Sequence, residues 1–101
     1  MLNSKQRSIL RSIGNEFEPI LIIGKSGITP NIIEQLEQAL AARELVKGRV
    51  LPHTEWDPRE VAAELAEATH AEIVHVIGRN ILFYREPQPG KPRRINLAGE
   101  E

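Results

Sequence analysis

Between Ile22 and Thr29 the chain reads IIGKSGIT, a lysine and a serine framed by two glycines, with an apolar run before them and a threonine-proline pair after. That arrangement suits phosphate. Glycine at each end lets the backbone reach conformations closed to other residues and lets a phosphodiester approach with no Cβ in the way. The helix predicted to start at Thr29-Pro30 aims its unpaired amides and positive dipole end at the same place, and Lys25 adds a full charge on a flexible stem. A nucleotide-hydrolysing P-loop needs a further glycine five positions before Gly24. Pro19 stands there, Ile20 to Ile23 belong to a strand, and Ser26, which would hold magnesium, is followed by Gly27.

The remaining candidate is a four-residue connection, Gly24, Lys25, Ser26 and Gly27, of the GXXG kind that clamps nucleotide backbones in KH-type modules. The plainer reading is that glycine simply turns the chain. Other cations fall where a backbone track would need them. Lys47 and Arg49 share one face of a strand, and Lys5, Arg7 and Arg11 line the exposed side of a first helix. Arg79 sits in a turn, Arg85 follows the last strand, and Lys91, Arg93 and Arg94 form a basic knot in the tail. Each alone is equally well read as a solvated surface charge.

Net charge is −1, so bulk electrostatics does not advertise nucleic acid. A basic surface requires the fold to sort the acidic segments, Glu34 to Glu44 and Glu55 to Glu72, onto other faces. Those acidic faces of helices two and three also support an alternative, an adaptor that docks basic ribosomal proteins.

The chain offers little for other chemistry. It has no cysteine, and His53, His70 and His75 lack metal-ligand spacing, so neither a metal nor another cofactor is expected. His75 alternates with Ile73 and Ile77 and reads as a half-buried structural histidine. Glu60, Glu64 and Glu67 recur at helical spacing and look like a solvated stripe, not an acid-base pair. No nucleophile has an evident base, so the chain reads as no enzyme, with no small-molecule substrate. Phe17, Phe83 and Trp56 read as core or staple residues, leaving Tyr84 as the one candidate for stacking on a base.

The elements that must position the loop follow from patterning. At 101 residues the chain fits one domain. Asn3 or Ser4 caps a helix that Gly14 stops. PILII, residues 19–23, is a continuous apolar run expected to be a strand covered on both faces. A second helix runs from Pro30 to about Arg43. In ELVKGRVL, Val46, Gly48 and Val50 face one way while Leu45, Lys47 and Arg49 face the other. Asp57, Pro58 and Glu60 announce a third helix with a capping box, a Trp56–Val61 staple and an apolar side of Val61, Ala62, Leu65 and Ala68. EIVHVIG and NILFYR form a hairpin about Gly78-Arg79. The expected architecture is a single α/β domain over residues 1–86, ordered α-β-α-β-α-β-β, with a four-stranded mixed sheet and a Pro/Gly-containing basic tail at 87–101. Without an apolar span or a secretory leader at the N-terminus, the expectation is a cytoplasmic protein with no membrane partner.

PILIIGKSGIT, ELVKGRVL, VIGRNILFYR and KPRRINL, in this order, resemble the bacterial YhbY-like members of the CRM group, the chloroplast RNA splicing and ribosome maturation domain. The resemblance covers nearly all the chain. It implies an RNA-binding domain, similar in fold to the C-terminal domain of translation initiation factor three and expected to be a monomer. Stand-alone bacterial members associate with precursors of the large ribosomal subunit, and the family's GXXG loop falls on Gly24 to Gly27.

Overall fold

The computed structural model describes residues 2–87; Lys91, Arg93 and Arg94 lie outside them. Helix α1 (Ser4–Gly14) starts at a reciprocal capping box: Asn3 Oδ1 accepts from the Gln6 amide at 2.7 Å, and Gln6 Oε1 accepts from the Asn3 amide at 3.1 Å. Gly14 is its last helical residue, not a left-handed stop, and Asn15 forms the C-cap. The glycine serves close packing instead. A Cβ there would stand 2.5 Å from Leu82 Cδ2, so only a bare Cα lets the end of α1 rest on the sheet.

Four strands form one mixed sheet, β1 (Leu21–Ile23), β2 (Leu45–Val50), β3 (Glu72–Ile77) and β4 (Asn80–Tyr84), in the order β1-β2-β4-β3. β1 runs parallel to β2, and the other pairs are antiparallel. Helices α2 (Pro30–Arg43) and α3 (Pro58–Thr69) carry the chain across one face, where Leu36, Leu40, Val61 and Leu65 meet Leu21, Ile23, Val46, Val50, Ile81 and Phe83. Helix α1 lies on the other face, over a smaller cluster of Leu10, Leu45, Val74, Leu82 and Tyr84. Element order and α/β class agree with the sequence reading.

The local chemistry departs from it in three places. PILII is not covered on both faces: only residues 21–23 are strand, β1 is an edge, and Ile20 and Ile22 are exposed. Helix α1 packs over β2, β3 and β4, and among the described residues no helix covers that face at β1. In α3, Asp57 accepts from the Arg59 amide at 3.1 Å in place of a box with Glu60. Its buried side is Val61, Ala62, Leu65, Ala66 and Thr69, with Ala68 outside, because the stripe continues from Leu65 by a four-residue step to Thr69 and not by a three-residue step to Ala68.

Candidate nucleic-acid interface

The GXXG segment leaves the end of β1 and enters α2 through Thr29, whose hydroxyl caps the Ile32 amide at 3.2 Å, with Pro30 in the first turn. Lys25 and Ser26 are exposed, and the Lys25 ammonium enters none of the hydrogen bonds among the described residues. The two glycines differ. Gly27 has φ +68° and is buried against the indole of Trp56, where a Cβ would stand 2.7 Å from Cζ2. Gly24 has no positive φ and nothing nearer to a Cβ than Leu51 at 3.8 Å, so its missing side chain leaves open space.

Trp56 also holds the loop by polar contact. Its Nε1–H donates to the carbonyl oxygens of Gly24 at 3.0 Å and Lys25 at 3.2 Å. Gly24 O also accepts from the Gly27 amide at 3.0 Å, which closes the turn, while the Lys25 and Ser26 amides take no part in the loop's backbone hydrogen bonds. Trp56 is itself anchored. Arg79, in the β3–β4 turn, donates through Nε to Val50 O at 2.8 Å and through one terminal nitrogen to Leu51 O at 3.0 Å and Thr54 Oγ1 at 3.3 Å. The guanidinium thus fixes the β2–α3 connection that carries the indole. The sequence reading placed Trp56 in a staple and Arg79 on a phosphate track. Their support role has no local signal, since the partners lie more than twenty residues away.

The other predicted cations separate. Strand register places Arg49 beside Ile22 on the α1 face of the sheet, and its guanidinium is exposed and outside the side-chain hydrogen bonds among the described residues. Lys47 lies on the same face and donates to Phe17 O at 3.2 Å. Arg11 is exposed on α1, near enough to His75 that it and Lys47 help to hold the imidazole below its ordinary pKa, after the larger effect of burial. Lys25, Arg49, Lys47 and Arg11 therefore form the loop-side group.

Four predicted members leave that group. Arg7 is not on the open side of α1, because its guanidinium donates to Ile73 O at 2.8 Å and Val74 O at 3.1 Å, where β3 is irregular. Those carbonyls belong to an edge strand, so the arginine satisfies and blocks that edge. Arg85 pairs with Glu37 at 2.7 Å and donates to Thr69 O at 2.9 Å, at the end of the sheet away from the loop. Lys5 is exposed but starts α1 near Leu2, which bonds Glu72 at that same far end. Arg79 is spent as described.

Two aromatic expectations also change. Tyr84 is fully buried and presents no face to a base, and Phe17 is 37% exposed and outside both clusters. Carboxylates stand on one flank of the loop: Glu55, Asp57, Glu60 and Glu64 share a cleft with Ser26 and Trp56 on the α3 side. Arg49, Lys47 and Arg11 lie toward the opposite face of the sheet, where Glu16 and Glu18 share a cleft with Lys47, so an anion reaching Gly24 and Lys25 meets carboxylates on the α3 side and mainly Arg49 on the other.

The fold and loop define a small α/β domain with a glycine-flanked strand-to-helix turn at the edge of its sheet. The CRS1/YhbY (CRM) domain profile matches residues 2–85, and the chain belongs to that family. It is 40% identical over 91 residues to the probable RNA-binding protein YqeI of Bacillus subtilis, covering 90% of this chain and 95% of that one. It is 33% identical to the probable RNA-binding protein PA4753 of Pseudomonas aeruginosa, covering 89% and 88% respectively. The solution structure of SAV1595 from Staphylococcus aureus superposes with a TM-score of 0.76 at 43% identity, over 95% of this chain and all of that one.

Proposed function

We propose that this domain binds RNA by its phosphate backbone, at the turn from Gly24 to Gly27, and acts on precursors of the large ribosomal subunit. The observation that carries the reading is Trp56: a side chain that ties two loop carbonyls inward holds a turn whose Lys25 and Ser26 are exposed at the positive end of α2. The names of the relatives support RNA as the partner class. Gly24 admits the backbone, Lys25 and the α2 N-terminus neutralise it, and Arg49, Lys47 and Arg11 continue the cationic path.

Replacing Lys25 by Glu tests the site. Affinity for RNA should fall several-fold while thermal unfolding stays nearly unchanged, since an exposed charge adds little stability. Equal affinity in mutant and parent would remove the loop from the site. The acidic cleft beside Ser26 favours a second reading, an adaptor that docks basic ribosomal proteins. Reversing Glu60, Glu64 and Glu67 separates the two: an adaptor loses its association with ribosomal particles, whereas an RNA binder keeps or strengthens it.

A further inference from the structure

Among the described residues the sheet keeps an uncovered strip that the loop reading does not use. Strand register sets Ile22, Arg49, Asn80 and Ile77 in one row across all four strands, side chains on the α1 face. Ile22 is 44% exposed and Ile77 61% exposed, whereas Ile23 on β1 and Ile81 and Leu82 on β4 are fully buried. The next row holds Ile20, Lys47, Leu82 and His75. Helix α1 stops at Gly14 on Leu82, which covers the far rows and leaves the strip nearest the loop open.

We propose that this strip takes the bases of an unpaired RNA segment whose backbone lies on the glycine loop, so that the domain prefers single-stranded RNA to duplex. The proposal rests on the RNA reading and specifies its substrate. Ile22 lies two residues before Gly24, so the strip is continuous with the loop. Three strand spacings, about 14 Å, separate Ile22 from Ile77. That span accommodates more than one base.

The chemistry favours a base over a helix backbone. Arg49 stands between Ile22 and Asn80 in this row: its guanidinium can offer a flat face to a base while its N–H edge stays open to the adjoining phosphate, and the exposed aliphatic surface of Ile22 and Ile77 is covered by a base but not by a sugar-phosphate ridge. In duplex RNA those faces are already stacked on one another. The row also carries unused hydrogen-bonding capacity, because Asn80 Oδ1, and His75 Nδ1 in the next row, are buried without a partner among the described residues. A base edge supplies donors or acceptors once the amide or ring turns, which recovers a cost the free protein bears. Charge complementarity favours the same occupant on the row that holds Arg49, with Lys47 and Arg11 beside it and no carboxylate in either row; Glu16 and Glu18 border the Ile20–Lys47 end of the second row, so the attraction is strongest on the loop side of the strip. A second copy of this chain across a two-fold axis would set these cations against their own equivalents.

The test compares a labelled single-stranded RNA of about 16 nucleotides with its duplex, titrated with the parent and with Ile22→Ser, Ile77→Ser and Lys25→Glu variants of the full chain. Both isoleucines are exposed, so unchanged thermal unfolding verifies that the serine variants fold. The expected result is tighter binding of the single strand, lost by about fivefold in each serine variant with little change for the duplex, while Lys25→Glu weakens both RNAs. Duplex bound as tightly as single strand, or a preference that survives both serine substitutions, overturns the base platform. The loop reading then stands if Lys25→Glu still weakens both. Binding of neither RNA by the parent overturns both readings.

Discussion

The Trp56 indole nitrogen donates to the carbonyl oxygen of Gly24 at 3.0 Å, a tie between residues 32 positions apart that converts a flexible glycine turn into a held one. Trp56→Phe keeps a ring beneath Gly27 and removes the donor. Stability should change by no more than about 1 kcal/mol, because the freed carbonyls can reach water, while RNA affinity falls several-fold as the loop loosens. Thermal unfolding and a binding titration on the same sample check both halves.

The two loop glycines should respond oppositely to alanine. Gly27→Ala forces a Cβ into the indole at φ +68° and should destabilise the fold by about 1–3 kcal/mol. Gly24→Ala has space and ordinary backbone angles, so unfolding should barely move while RNA binding weakens, a methyl group now standing where the phosphodiester approaches. Denaturant melts of the two variants, read beside their affinities, decide it.

Arg79 and Arg85 have similar bonding and different consequences. Each donates to backbone carbonyls, so either alanine variant should lose about 1.5–3 kcal/mol, the range for hydrogen bonds from a charged group. Only Arg79→Ala should also weaken RNA binding and speed amide exchange over residues 51–56, since only Arg79 anchors the segment that carries Trp56.

His75 should make both stability and binding depend on pH. Burial, then the charges of Arg11 and Lys47, hold its pKa below the ordinary 6.5. The unfolded chain takes up this proton near 6.5 and the folded chain resists it, so the fold is favoured above that pH and loses stability as pH drops below it. A phosphate beside the same three groups would oppose the shift, so RNA affinity should rise over the same acidic window. An NMR titration of the His75 ring, free and RNA-bound, measures the two pKa values; identical values would place the RNA elsewhere.

Salt sensitivity follows from the cations that remain on the loop side. With about four phosphates neutralised by Lys25, Arg49, Lys47 and Arg11, the slope of log K against log salt should lie between about −2.8 and −3.6. Lys5→Gln and Arg85→Gln should leave that slope unchanged, and Arg49→Gln should reduce it by about one.

The chain's own order of residues determined the elements and the loop. Thr29-Pro30 and Asp57-Pro58 mark helix starts through caps and a fixed φ, which are local properties, and the alternation in Leu45 to Val50 reports a strand with two unlike faces. Glycine spacing around Lys25 is likewise local, and it was legible.

Which charged and apolar groups are available was not. Arg7, Arg79 and Arg85 are indistinguishable from Arg49 by composition, yet three are engaged by backbone carbonyls far away in sequence and one is left to solvent. The run Ile20 to Ile23 reads as uniformly buried, but α1 halts where Gly14 meets Leu82, so Ile20 and Ile22 face outward. Coverage of a sheet face depends on where a distant helix lands and how closely it can approach. That is settled by packing between segments, and only the assembled tertiary structure contains it.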